Sequence, residues 1–338
     1  MISFVVRRIL GMLPVFIGVA FVSFGIVSLA PGDFYTPQKL AAVMAGASRD
    51  EAIQSTEVMR IKRGIDKPWI VQFYIWLEGV VTKGDLGVSF ASNGPVTKYI
   101  FANGSELLWT MVITGSSLVL AWLVGIPIGI ISGVRRGRFL DVAFSLVTYG
   151  LISIPGYVLG WCFIWAIYHF VNPLIIAPGV WGLLDLHYVG QPLSFAKVLN
   201  YLWHLWPAWI IVGAPMFAMV VRLLRLSIVD TLSDQYIVTA RGKGLAERPV
   251  LFKHALRNAI NPLVSMFGMM LPTLITGSIL ATQVLGLPTF GKLFLNAVRT
   301  QDQHVITAAL LFYSVFLVGG NLMADILLAI IDPRIRYH

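Results

Sequence analysis

The sequence predicts an all-α integral membrane protein with six transmembrane helices and both termini cytoplasmic. Three observations predict it. Hydrophobic residues fill 57% of the 338 positions and charged residues only 12%, about half the charged share of an ordinary soluble domain. Six charge-free windows have the length a bilayer-crossing helix needs, roughly 17 to 25 residues: Ile9–Ala30, Leu107–Val134, Val142–Val171, Leu205–Val221, Ala259–Gly291 and Val305–Ala324. Lys and Arg, finally, are shared unequally between the two sets of loops that six crossings create.

Taken in order, the first window reads as a retained span. Ser28-Leu29-Ala30 looks like a cleavage site, but the apolar run is too long for a signal peptide and Pro31 blocks cut-site chemistry directly after it. Residues 31–106 follow as an external, periplasmic subdomain with eight cations and eight acids. It reads as short helices, Glu51–Ile65 and Pro68–Val81, then a Gly84-Asp-Leu-Gly87 turn. The remainder, 107–338, is a five-helix core. Its second and third windows carry small residues four apart: Gly125, Gly129 and Gly133, then Gly156 and Gly160. That spacing lets helix backbones approach closely in lipid. Pro127, Pro155, Pro215 and Pro272 each remove a backbone hydrogen bond and predict kinks in four of the six spans. Past Val171, the breakers Asn172, Pro173, Pro178 and Gly179 open an exposed loop that runs to His204. Trp181, Tyr188, Tyr201 and Trp203 there read as an interfacial aromatic belt, with contact to a substrate as the alternative. The lone Cys162 lies in the third span, so no intrachain disulfide forms.

Six spans place both termini on one side, with the loops after the second and fourth spans. That side holds fourteen Lys and Arg against five acids; the other holds eleven against ten. The cation-rich side is therefore cytoplasmic. The net charge of +9 is topological, and no nucleic-acid partner is needed to explain it. Its densest part is an island between the fourth and fifth windows, Asp230–Pro262. There Arg241, Lys243, Arg248, Lys253 and Arg257 are offset only by Asp230, Asp234 and Glu247. Apolar residues at Tyr236, Ile237, Leu245, Val250, Leu251, Leu256 and Ile260 predict two short amphipathic helices hinged at Gly242 and Gly244. A segment of this kind folds on the membrane surface and offers a partner something to grip.

Catalytic chemistry is missing. The six histidines form no HExxH pair and no Cys-His ligand set. Gly286 to Lys292 follows the phosphate-loop pattern, but Leu293 stands where a hydroxyl should meet Mg²⁺, and the topology puts the segment outside the cell. It is a chance match, so any nucleotide chemistry belongs to another polypeptide. One acid lies within a span: Asp325, a helical turn after Asn321. An intramembrane carboxylate either anchors its helix or serves transport. A self-sufficient ion-coupled carrier using Asp325 is the rival class.

The island also resembles a known family. Its residues Tyr236, Thr239, Ala240, Arg241, Lys243, Gly244 and Leu245, then His254-Ala-Leu-Arg-Asn-Ala259 and Pro262, are similar to the cytoplasmic loop of membrane subunits from ABC importers of the dipeptide/oligopeptide class. The wider importer motif opens Glu-Ala-Ala; here Val238-Thr239-Ala240 stands instead, as in the peptide branch. Pro31-Gly32-Asp33, Gly64-Ile-Asp-Lys-Pro68 with Gln72 and Trp76, Gly84-Asp-Leu-Gly87, and Asp332-Pro-Arg-Ile-Arg336 resemble the same subunits. The resemblance runs nearly end to end. It implies a permease in the bacterial inner membrane, paired with a homologous second permease subunit and two cytoplasmic ATPases, and served by an extracytoplasmic substrate-binding protein. The coupling loop would be 230–257, with Tyr236 to Leu245 docking into an ATPase. The chain would bind no cofactor; ATP and Mg²⁺ would sit on the ATPases. Peptides are the implied substrate, with oligosaccharides or nickel as alternatives within the same branch.

Overall fold

The computed structural model describes residues 2–101, 106–170 and 182–331. The first ten residues of the loop opened by Asn172, Trp181 among them, and the motif at Asp332–Arg336 lie outside them. Among the described residues all regular structure is helical, apart from an isolated bridge between Val88 and Pro95. The chain divides into two compact units, Met1–Leu108 with Lys292–Val315, and Trp109–Gly291 with Phe316–His338. Among the described residues four helices are long and apolar enough to cross a membrane: Leu10–Leu29, Glu106–Val134, Phe195–Leu232 and Gln303–Leu328. The number rises to as many as six if each of two bent helix pairs is one span.

The first unit contains α1 (Ile2–Leu29), α2 (Tyr35–Met44), α3 (Arg49–Arg63), α4 (Trp69–Lys83) and α5 (Val96–Phe101). Helix α3 starts at a capping box in which Ser48 Oγ accepts from the Glu51 amide and the Glu51 carboxylate accepts from the Ser48 amide. Gly64 and Gly84 end α3 and α4 in the left-handed conformation. Both helices thus fall within two residues of the expected bounds; α2 and α5 were not expected. Phe24 of α1 packs on Phe73 and Trp76 of α4 at centroid separations of 5.7 and 5.4 Å. The Gly84–Gly87 turn has a specific task. Gly87 has φ +89° and lies so near His304 that a Cβ would come within 2.8 Å of Nδ1. The buried carboxylate of Asp302 accepts from Ser89 Oγ at 2.6 Å and from the Ala91 amide at 3.1 Å. The turn therefore fixes the start of the last long helix.

In the second unit lie α6 (Glu106–Val134), α7 (Phe139–Ser153), α8 (Gly156–Phe170), α9 (Phe195–Leu232), α10 (Gln235–Gly242) and α11 (Asn261–Leu285). Helix α9 is its centre. The glycine stripe of α6 packs on it, Gly125 against Val220, Gly129 against Leu224 and Gly133 against Ile228, where an added Cβ would come within 2.7 Å of the Ile228 side chain. Gly156 and Gly160 of α8 face Ile211 of the same helix. The four-residue spacing read from sequence thus serves packing inside this chain.

Two spans differ from expectation. Helix α9 runs for 38 residues, about 57 Å at 1.5 Å per residue, so Phe195–His204 is helix and not loop. Ser194 caps it by accepting from the Lys197 amide, and Lys197 is tolerated because it stands in the exposed first turn. The third window is not one kinked helix. Helices α7 and α8 meet at 109°, with Ile154 extended because the following Pro155 disfavours the helical conformation before it and offers no N–H. Each has 15 residues, about 22 Å, short of a roughly 30 Å hydrocarbon core. The fifth window bends by 59° between Asn261–Leu271 and Thr276–Leu285. Pro127 and Pro215, by contrast, sit within continuous helices.

Candidate functional site

The charged island folds as a small two-layer bracket. After α9 ends, Asp234 starts α10 without a side-chain cap, and the chain continues through helical turns Glu247–Pro249, Val250–Ala255 (π-wound) and Leu256–Ala259. Ile237 and Ala240, three apart on α10, are buried against Val250 and Ala255, with Leu232 and Leu251 beside them. Below this cluster, Leu251, Leu256 and Ala259 pack on Leu224 and Ile228 of α9. Alanines at 240, 255 and 259 thus have a steric role: larger side chains would push the layers apart.

The turn after α10 follows from Gly244. Its φ is +77°, a conformation that costs an L-residue about 1 to 2 kcal/mol. The Gly244 amide donates to Arg241 O at 2.9 Å and the Leu245 amide to Ala240 O at 3.4 Å, the paired bonds of a Schellman motif. Gly242 was expected to share the hinge; it is instead the last residue of α10, so Gly244 turns the chain alone. Asn258 Nδ2 donates to Tyr236 Oη at 2.8 Å, joining the two ends of the motif. Arg241 pairs in fork geometry with Glu247, at 2.9 and 3.1 Å. The Thr239 hydroxyl donates back to Gln235 O.

What remains outside is apolar and cationic. Tyr236, Val238, Leu245 and Phe252 are 40, 53, 43 and 59% exposed, and Lys243, Arg248 and Lys253 have no ion-pair partner among the described residues. Lipid contact explains exposed apolar side chains on a span; it does not explain them among five cations. The surface thus keeps both apolar area and cationic charge free for contact beyond this chain. Val238 and Phe252 were not anticipated. Their signal in the sequence was an apolar residue off the buried Ile237/Ala240 face.

A second feature was also missed. Asp141, counted from sequence only as a topological acid, is 2% exposed. Its carboxylate accepts from Arg225 Nη2 and the Gly137 amide, both at 2.8 Å, and from Arg225 Nε and Ser132 Oγ. The pair ties α7 and the α6–α7 turn to α9, directly beside Leu224 and Ile228, which carry the bracket. An Arg within the last third of a long apolar helix, needing a partner, was the available clue. Asp325 and Asn321 lie on the last helix (α13, Gln303–Ile331, which follows α12, Phe290–Thr300) and are half-buried. Asn321 stands against Gly268 of α11, whose missing Cβ leaves the space that its backbone and amide fill. The Gly286–Gly291 segment is a connector: Gly286 caps α11, and the Phe290 amide donates to Thr110 Oγ1 at 2.7 Å.

Comparison with known proteins is consistent over the whole length. Residues 125–337 match the family described as binding-protein-dependent transport system inner membrane component, and residues 1–119 match the corresponding N-terminal family. The oligopeptide transport system permease protein AppB of Bacillus subtilis (strain 168) is 34% identical over 338 residues, covering all of both chains. The glutathione transport system permease protein GsiC of Escherichia coli (strain K12) is 34% identical over 337 residues, again covering all of both.

Proposed function

Since the chain belongs to the family of inner membrane components of binding-protein-dependent transport systems, we propose that it forms half of the translocation path of an ATP-driven importer. It would cross the membrane six times, α7 with α8 and the two halves of α11 each counting as one span, with both termini and the bracket in the cytoplasm. The cation excess around the bracket supports that orientation. A homologous permease subunit would supply the other half of the path. Two ATPases would hold ATP and Mg²⁺, and an external binding protein would deliver the substrate.

The observation that carries this reading is the asymmetry of α10. One face is bolted through Ile237, Ala240, Val250 and Ala255 to α9, while the other presents Tyr236, Val238 and Leu245 beside Lys243. Docked in a groove of an ATPase, that outer face would receive force, and the inner face would pass it to α9. Arg225–Asp141 would carry the movement on to α7, which is why it matters that the buried Asp141 carboxylate accepts two hydrogen bonds from Arg225 and one each from Ser132 and Gly137. The spans perform no reaction; they hold two arrangements whose balance the ATPases shift.

Substrate class follows from the relatives. One is named for oligopeptides and the other for glutathione, so short peptides are proposed here. The test is ATP-driven uptake by the complete complex in proteoliposomes with its binding protein. Gly244→Asp should leave the complex assembled and lower peptide-stimulated ATPase activity and uptake by about tenfold or more. Unchanged coupling would remove the bracket from this role. Uptake by this chain alone, driven by an ion gradient and abolished by Asp325→Asn, would instead establish the carrier reading.

A further inference from the structure

The first unit contains a cavity of about 550 Å³ walled by the end of α1, the first turns of α2 and α4, and the middle of α3. Its volume lies within the range typical of small-molecule sites. Arg60 lines it, its guanidinium held by Asp33 at 2.9 Å and Glu57 at 3.1 Å. Two further cations line the cavity, half-buried Lys39 and exposed Lys67. Neither has an ion-pair partner among the described residues. Gln303 lines it too, at the start of α13. It is only 7% exposed, and its Nε2 has no acceptor among the described residues. A buried amide N–H without an acceptor costs roughly what a lost hydrogen bond costs, and such groups in folded proteins are rare. Ile65, Trp69 and Phe90 supply apolar wall between these polar groups.

We propose that this cavity binds the carboxyl-terminal end of a short peptide, its carboxylate held by Lys39 and Lys67 and a backbone carbonyl accepting from Gln303. The ligand class rests on the peptide reading above; the site itself rests on the cavity. Three complementary features meet here: unpaired cations for a carboxylate, a waiting N–H for a carbonyl, and apolar wall for a side chain. An inorganic anion would use only the first of them, and an acyl chain would meet the Asp33–Arg60–Glu57 ring. The site would hold a peptide on the permease itself, outside the membrane path, between its release by the binding protein and its passage inward.

The experiment is equilibrium dialysis of a random tripeptide pool against the purified permease–ATPase complex in nanodiscs, without binding protein, read by mass spectrometry. Free-acid tripeptides should be retained, and the same pool as C-terminal amides retained at least about fivefold less. Lys67→Gln, at an exposed position that cannot disturb packing, and Gln303→Leu should each cut retention by about fivefold or more, with size-exclusion profile and basal ATPase rate unchanged. Equal retention by these variants, or of acids and amides, would overturn the inference. Retention that appears only when binding protein is added would also overturn it, making the cavity a docking surface. If the full system imports peptides that this cavity does not hold, the inference fails and the peptide reading stands. If it imports an oligosaccharide or nickel and no peptide, both fall.

Discussion

Two turns, each built on a left-handed glycine, have opposite surroundings. Gly87 is pressed against His304, and its neighbours Val88, Ser89 and Ala91 are all bonded to residues at the start of α13. Gly244 has nothing within 4 Å of where its Cβ would be, and the residues around it are exposed apolar groups and unpaired cations. The first turn satisfies itself, so its sequence is explained by packing. The second leaves polar and apolar capacity open, and the function proposed above fills it with a partner. Glycine alone does not distinguish the two; the distinction lies in whether the neighbouring groups find partners within the chain.

Ranked by stability, substitutions should separate these cases. Asp141→Ala removes a buried acceptor and strands Arg225. A broken buried pair costs about 3 to 5 kcal/mol, and the lower end applies because the Arg225 side chain is a quarter exposed. Thermal unfolding of the purified complex should report it, and loss of uptake should accompany it. Gly87→Val adds left-handed strain to a clash with His304, for about 2 kcal/mol; a loss below about 0.5 would show that the turn yields easily. Gly244→Ala meets strain without a clash, about 1 kcal/mol. Val238→Asp, half-exposed on the outer face of α10, should change stability by less than about 0.5 kcal/mol. Coupling should not follow that order. Val238→Asp, the mildest for stability, should lower ATP-driven uptake by about tenfold while Gly87→Val, if it assembles, leaves coupling intact. Equal losses of coupling from both would erase the contrast between the regions. Arg241→Gln is a surface change of comparable size: its pair with Glu247 is exposed on both sides and contributes at most about 1 kcal/mol, less in high salt.

Much of the site was legible before any coordinates. Composition and charge spacing picked out the apolar windows, because the cost of placing a charge in lipid is large and local. The motif from Tyr236 to Leu245 was legible as a unit because its turn depends on one residue, Gly244, whose φ only glycine adopts freely. Gly242 misled the reading: a glycine pair two apart does not say which member turns the chain. The extent of α9 was hidden because the window was read as Leu205–Val221, with the polar and aromatic residues before it taken as loop and Arg222 as its end, whereas a helix stops where its hydrogen bonds do.

By itself, then, the sequence determined the all-helical class, the apolar windows, the uneven charge and the bracket's turn, since each depends on short stretches of chain and on the solvent around them. Tertiary structure decided the rest. It turned one apolar window into two helices at 109° and chose α9 as the helix on which the glycine stripe of α6 and the glycine pair of α8 converge. It also brought Asp141 to Arg225 across 84 residues, and opened a cavity at Gln303. Those outcomes depend on which distant surfaces fit and which buried polar groups find partners, and no local pattern encodes that choice.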